Sequence, residues 1–138
     1  SRLLEEVADV YQWLDAQISD NEKLSGQCSA CGQCCDFLAF GHHLFVTTPE
    51  LMYFAARSGR QNIRTLRGTR CPYLVDGKCS VYEYRFAGCR IFCCKGDEDF
   101  QSDLSESAVK IFRTICEEFR ITYRYRDFPS ALKSLASA

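Results

Sequence analysis

The chain has 138 residues, of which 46% are hydrophobic and 25% charged, and its formal net charge at pH 7 is -1. This length and composition predict one compact domain, residues 1–138, able to bury a modest core. The near-zero net charge gives no bulk attraction to nucleic acid, and no apolar run approaches the roughly 20 residues that cross a bilayer. Residues 1–20 are acidic and polar where a secretory signal would be apolar, so we expect a cytoplasmic protein.

The first predicted element is an amphipathic helix over residues 3–18. Acidic residues lie off its apolar stripe, which recurs at the three-to-four spacing of a helix face. The stripe consists of Leu3, Val7, Val10, Leu14 and Ile18. Gly26, in the polar run that follows, marks a loop.

That loop leads into the most distinctive segment of the chain, a first cysteine block with the spacing C-x2-C-x2-C-C. Four thiols within eight residues can aim at one point, and the simplest occupant of that point is a metal. The block consists of Cys28, Cys31, Cys34 and Cys35. His42 and His43 follow closely, but we interpret neither as a ligand.

A short extended piece over residues 44–46 is expected to precede a second helix. Thr47 and Glu50 form a capping-box pattern and Pro49 suits a first turn, so this helix should begin near Pro49 and end near Gly59. Arginines then recur every three or four residues. They are Arg57, Arg60, Arg64, Arg67 and Arg70. We favour a solvated face for them over a basic ridge that grips a partner or nucleic acid.

A second cysteine block contains Cys71, Cys79, Cys89, Cys93 and Cys94. Because residues 71–94 have proline and glycines and no sustained period, we predict loops and short turns wrapped around a metal.

A long helix is predicted next, over residues 103–125, with a cap at Asp103 and Glu106. Its apolar face would be Val109, Phe112, Cys116, Phe119 and Tyr123. Cys116 is therefore expected to be a buried core thiol and not a ligand. Residues 129–138 predict a short terminal helix or a frayed tail.

Nine of the ten cysteines lie between positions 28 and 94, and three explanations compete for them. Disulfides occur mainly in secreted proteins and are needed most in smaller chains, and the adjacent pairs Cys34-Cys35 and Cys93-Cys94 suit them poorly. Thiols buried only for packing should follow helix or strand periodicity, which these do not. Metal ligation is the interpretation that the spacing favours.

The metal itself is open at this point. Structural zinc takes four thiolate or imidazole ligands, often from C-x2-C pairs. Iron-sulfur clusters also take four thiolates, and Cys28, Cys31 and Cys34 reproduce the first three ligands of a bacterial ferredoxin loop. Cys35 precedes Asp36 and does not reproduce the ferredoxin ending. Because adjacent side chains diverge, we expect that Cys34 and Cys35 bind different metals, or that one of them supports a ligand without binding the metal itself.

The same residues carry a family resemblance. The first block, followed by Cys71-Pro72-Tyr73-Leu74, Gly77-Lys78-Cys79, Tyr82, Arg85 and Cys89-Arg90, resembles the YkgJ-type CxxCxxCC cysteine-cluster family, described as zinc- or iron-chelating proteins. The resemblance spans residues 28–90. Phe86 departs from it, since the family usually has proline there.

The resemblance implies metal ligands among Cys28, Cys31, Cys34, Cys35, Cys71, Cys79 and Cys89. Cys93 and Cys94 extend beyond the pattern and would enlarge the cluster or replace a ligand. A flagellin lysine methylase is similar in this region and uses an iron-sulfur cluster in methyl transfer. Because of that precedent, we favour an iron-sulfur cluster slightly over zinc as the bound cofactor.

The sequence thus predicts a mainly α, small single domain with three or four helices around an irregular cysteine-rich metal-binding core. The expected cofactor is an iron-sulfur cluster or iron, with a redox or cofactor-dependent modification as its role. The alternative is a zinc-stapled interaction module with an arginine-rich face for a protein or nucleic acid. We expect metal ions as partners, a protein partner stays open, and nucleic acid and membrane are disfavoured. No catalytic signature is present, so no residue is assigned to catalysis.

Overall fold

The computed structural model describes residues 2–25, 44–65, 71–75, 78–92 and 96–137. Across these ranges the fold is mainly helical. The helices are α1 (Arg2–Asp20), α2 (Glu22–Ser25), α3 (Thr48–Ser58), α4 (Ala87–Ile91), α5 (Glu98–Phe119) and α6 (Phe128–Ser137). The short strands are β1 (Phe45–Thr47), β2 (Leu74–Val75), β3 (Lys78–Cys79) and β4 (Tyr125–Asp127). Two 3₁₀ turns, Arg60–Asn62 and Tyr82–Tyr84, complete the described elements.

The strands form two small antiparallel pairs. β1 pairs with β4, so that Phe45 lies opposite Asp127 and Thr47 opposite Tyr125. β2 pairs with β3, so that Leu74 lies opposite Cys79. Pairs this short have little stability of their own and depend on the helices packed beside them.

The first apolar cluster joins α1 to α5, with α3 and α4 at its edge. Its centre is formed by Val7, Leu14 and Phe112, each with no exposed side-chain surface. The Tyr11 ring packs edge-on against both Tyr53 and Phe112. Apolar side chains that recur every three or four residues on α1 and α5 face one another, which is why these two helices pack together.

The second apolar cluster lies between α3, α6, β1 and the segment of residues 71–86. Phe54 is fully buried at its centre and its ring contacts those of Tyr73 and Phe86. The cluster consists of Leu44, Val46, Phe54, Cys71, Tyr73, Val81, Phe86, Phe128, Ala131 and Leu132. Of the second cysteine block, Cys71 belongs to this cluster and Cys89 packs against it.

The predicted helices are confirmed, but the described residues contain six helices where three or four were predicted, and two boundaries and one segment are corrected. The helix predicted over residues 103–125 begins at Glu98, because the Asp97 carboxylate accepts a hydrogen bond from the Phe100 backbone N–H at 2.8 Å. It ends at Phe119, because Arg120 adopts a left-handed conformation with φ 55°. Asp103 is therefore inside the helix and not its cap.

Residues 71–92 are also more regular than predicted where the structure describes them, since they contain a hairpin, a 3₁₀ turn and α4. For residues 129–138, where a short terminal helix or a frayed tail was predicted, the structure has the helix α6, and Pro129 lies in its first turn, where its missing N–H costs nothing. In the described ranges, no helix is long and apolar enough to cross a membrane.

Candidate metal centre

Two predicted ligands, Cys71 and Cys89, contact the same apolar cluster although 18 residues separate them in sequence. Cys71 precedes β2 and is 9% exposed, and Cys89 lies on α4 and packs against the second cluster. Neither thiol is bonded in a disulfide. The fold thus places two thiols from separate parts of the chain against the same apolar cluster.

The β2–β3 hairpin positions the third described member of the block. Cys79 lies in β3 with its backbone paired to Leu74, and only its backbone is described. Next to it, the Tyr73 carbonyl oxygen accepts hydrogen bonds from the Ser80 backbone N–H at 2.8 Å and the Ser80 hydroxyl at 2.6 Å. The hairpin therefore fixes the backbones of the Cys71 and Cys79 segments relative to each other.

Tyr73 anchors this hairpin to the end of α3. Its hydroxyl accepts a hydrogen bond from the Arg64 backbone N–H at 2.9 Å and donates one to the Asn62 carbonyl oxygen at 3.3 Å. Burial raises the pKa of the Tyr73 phenol above its usual value, so the hydroxyl stays protonated and able to donate. These hydrogen bonds of Tyr73 to the backbone thus hold in place the segment that begins with Cys71 and Pro72.

Glu50 anchors α4, the helix that contains Cys89. This carboxylate is 2% exposed, and Oε1 accepts a hydrogen bond from the Ala87 backbone N–H at 2.6 Å. The Tyr11 hydroxyl donates to the same oxygen at 3.3 Å, and Oε2 accepts from Thr47 N–H at 3.0 Å and Thr47 Oγ1 at 2.9 Å. Glu50 therefore joins α1, β1, α3 and α4 at one buried point. Its partner in α4, Ala87, lies two residues before Cys89.

Burial and hydrogen bonding act on Glu50 in opposite directions. Burial raises the pKa of the Glu50 carboxyl, and the hydrogen bonds from Ala87, Thr47 and Tyr11 oppose that rise. Burial and the neighbouring Glu50 charge also raise the Tyr11 pKa well above its usual value. Both oxygens of Glu50 are already hydrogen-bonded, so its role is to hold the helices together.

Arg90 anchors α4 immediately after Cys89. Its guanidinium lies over the Tyr11 ring at 4.1 Å, donates to the Asp15 carboxylate at 2.9 Å, and has 5% of its side chain exposed. It also donates to the Arg85 and Glu83 carbonyl oxygens, each at 2.8 Å. The planar guanidinium of arginine has several N–H donors and can make all of these contacts, whereas the ammonium of lysine could not. The backbone around Cys89 is thus fixed from both sides.

Several predicted ligands lie outside the described residues. These are Cys28, Cys31, Cys34, Cys35, Cys93 and Cys94. His42 and His43, which the sequence analysis does not interpret as ligands, also lie outside the described residues. Within the described ranges, no group of three or more cysteine, histidine or acidic side chains is placed to hold a metal. The described residues therefore contain no complete metal site, and of the predicted ligands they include the Cys71 and Cys89 side chains and the backbone of Cys79.

Cys116 and the arginines can be placed directly. Cys116 is 1% exposed on α5, and burial raises the pKa of its thiol, so the predicted core thiol is confirmed. The continuous arginine ridge is wrong for the described residues, because α3 ends at Ser58 and Arg60 belongs to a 3₁₀ turn. Arg57 lies over the Tyr53 ring at 5.8 Å and Arg64 over the Tyr73 ring at 6.0 Å.

Comparison with protein-family models, with curated proteins and with solved structures returns no match. The donor chemistry of the described residues is compatible with a thiolate-bound metal, because Cys71 and Cys89 are outside disulfides, partly or fully buried, and held on anchored segments. Sequence analysis identified both thiols. It missed Arg90 and Tyr11 as their support, and gave Glu50 only a local capping role.

Proposed function

We propose that this protein binds metal through its cysteine cluster, holding an iron-sulfur cluster or iron. One observation carries the proposal: Cys71 and Cys89 approach the same apolar cluster from separate elements, and neither is in a disulfide. A lone buried cysteine needs no such convergence, whereas thiolate ligation of a metal requires it.

The anchors around Cys89 support the same function. A metal site requires ligands that are already oriented, because ordering them on binding costs affinity. The Ala87 backbone N–H is fixed by Glu50, and the Arg90 guanidinium is fixed by Tyr11 and Asp15. Cys89 lies between these fixed points and would be presented to the metal with little freedom.

The remaining ligands in this proposal come from the first cysteine block, Cys79, and Cys93 or Cys94. A bound cluster would supply one-electron chemistry or assist modification of a partner protein. The Cys71 and Cys89 side chains would hold it, and the apolar second cluster would limit water at the thiols.

Anaerobic purification followed by metal and sulfide analysis tests the proposal. We expect iron with acid-labile sulfide and a broad absorption band at about 400 nm. Colourless protein carrying stoichiometric zinc would contradict iron binding and would favour a zinc-stapled module. Protein that retains neither metal after reconstitution with each would contradict metal binding altogether.

Cysteine variants test whether Cys71 and Cys89 bind the metal. Cys71→Ala and Cys89→Ala should each lower metal content, and the double variant should lower it further. Cys116→Ala is the matched control, because that thiol is buried on α5 and is not part of the second cluster. Full metal content in the double variant, or an equal loss in Cys116→Ala, would show that these thiols are not ligands.

A further inference from the structure

A cleft runs along α5 on the face that looks toward α4, β1 and β4. It has two adjoining cavities of about 280 Å³ and about 500 Å³. The cavities share four lining residues, Ser102, Ser105, Val109 and Tyr125. Their combined size falls in the range of pockets that hold small organic molecules, roughly 300–1,000 Å³.

The middle of the cleft is apolar and has an aromatic wall. The Phe45 and Tyr125 rings are stacked at 5.2 Å with an interplanar angle of 13°. Phe45 is 42% exposed and Tyr125 is 53% exposed, so this aromatic surface is accessible to a ligand. Val109 lies on the α5 side, and the small side chains of Ser102 and Ser105 leave the space between them open. A flat apolar body fits such a slot.

The two ends of the cleft differ in charge. Lys110 and Arg113, one turn apart on α5, line the outer cavity with Glu106, whereas Glu50 and Glu98 line the inner one. The Glu50 oxygens already accept hydrogen bonds from Tyr11, Thr47 and Ala87 and have little to offer a ligand donor. A ligand anion is therefore attracted at the outer end and repelled at the inner end.

We propose that this cleft binds a small organic anion with a flat apolar body. The anionic group, a carboxylate, sulfonate or phosphate ester, lies beside Lys110 and Arg113. The apolar body lies between the Tyr125 ring and Val109. Neither Cys71 nor Cys89 lines this site, and the inference does not depend on metal binding.

The test uses the full-length protein as purified and the fluorescent probe 8-anilinonaphthalene-1-sulfonate, a flat aromatic sulfonate. We expect saturable binding with one site per chain that weakens as salt is added. N-phenyl-1-naphthylamine, which lacks the sulfonate, should bind at least about tenfold more weakly, because it forgoes the charged contacts. Equal affinity for the two probes would overturn the anion assignment.

Variants of the cleft residues test where the sulfonate probe binds. Lys110→Gln with Arg113→Gln should weaken sulfonate binding by about tenfold. Arg57→Gln with Arg124→Gln, which makes the same charge change at exposed positions outside the cleft, should leave it unchanged. Ser105→Phe should fill the slot and abolish binding while thermal unfolding stays at the wild-type temperature. Unchanged binding in Ser105→Phe, or equal weakening in the two double variants, would overturn the proposal.

Discussion

The Ala87 backbone N–H donates a hydrogen bond to the buried Glu50 carboxylate at 2.6 Å. This contact links the first turn of α3 to the first turn of α4, 37 residues later in the chain. Because α4 is only five residues long, it has little helical stability of its own. Its position, and with it that of Cys89, depends on contacts of this kind.

Replacing Glu50 should therefore be strongly destabilising. Glu50→Ala leaves the Thr47 and Ala87 N–H groups and the Tyr11 hydroxyl without their acceptor in a buried site, so we expect a loss of about 3 kcal/mol or more in the free energy of unfolding. Urea denaturation at fixed metal content measures it. Glu5→Ala, at an exposed position on α1, is the control and should change little. A Glu50→Ala protein as stable as this control would refute the anchoring role.

Arg90 should not tolerate lysine. Lysine keeps the charge but cannot stack a planar group on the Tyr11 ring while donating to the Asp15, Arg85 and Glu83 oxygens. We expect Arg90→Lys to cost about 2 kcal/mol, measured by urea denaturation.

Arg124→Lys offers the comparison for Arg90, since Arg124 is exposed. It should stay within about 0.5 kcal/mol of wild type. Equal stability of the two lysine variants would mean that Arg90 acts only through its charge.

Asp127 should make the stability of α6 depend on pH. Its carboxylate accepts a hydrogen bond from the Ser130 backbone N–H at 3.0 Å, and Ser130 lowers the Asp127 pKa below its usual 3.8. A lowered folded-state pKa gives stability that is present above pH 3.8 and is lost as the pH falls through the folded value. Asp127→Ala should therefore cost about 1 kcal/mol at neutral pH.

The same pair of proteins tests the pH dependence. The stability gap between wild type and Asp127→Ala should narrow below pH 3.8, as followed by denaturation at several pH values. Asp99→Ala, which changes an exposed acid in the first turn of α5, controls for the loss of charge. A gap that stays constant down to acidic pH would contradict the capping by the ionised carboxylate.

Gly88 should be sensitive to a single added methyl group. A Cβ at this position would clash with Leu44 Cδ1, and Leu44 is 4% exposed and cannot swing away freely. Alanine gains up to about 1 kcal/mol in helix propensity, but overpacking of a buried site costs about 1–3 kcal/mol. We expect Gly88→Ala to be destabilised by about 1 kcal/mol net in thermal or chemical unfolding.

A second substitution, Leu44→Val, tests whether crowding against Leu44 is what destabilises Gly88→Ala. Leu44→Val shortens the side chain that the new methyl group meets. The double variant Gly88→Ala with Leu44→Val should be more stable than the sum of the two single losses predicts. Strictly additive losses would show that the Leu44 contact is not the reason.

The sequence by itself determined the helices that have a strong local signal. The apolar stripe of α1 follows from its three-to-four spacing, and α3 follows from Thr47, Pro49 and Glu50 at its start. Cys71 and Cys89 became candidate ligands through the second cysteine block and through the family resemblance over residues 28–90. Strands β1 and β4 could not be paired in this way, since three-residue strands carry almost no periodic signal.

Only the tertiary structure decided which distant residues meet. The sequence identified Glu50 as the capping acid of one helix, but its contacts with Ala87 and Tyr11 depend on how α1, α3 and α4 pack. The stacking of Arg90 on Tyr11 and the cleft beside Tyr125 arise in the same way. Such contacts join residues tens of positions apart, and their energies come from burial and packing, which no short sequence window contains.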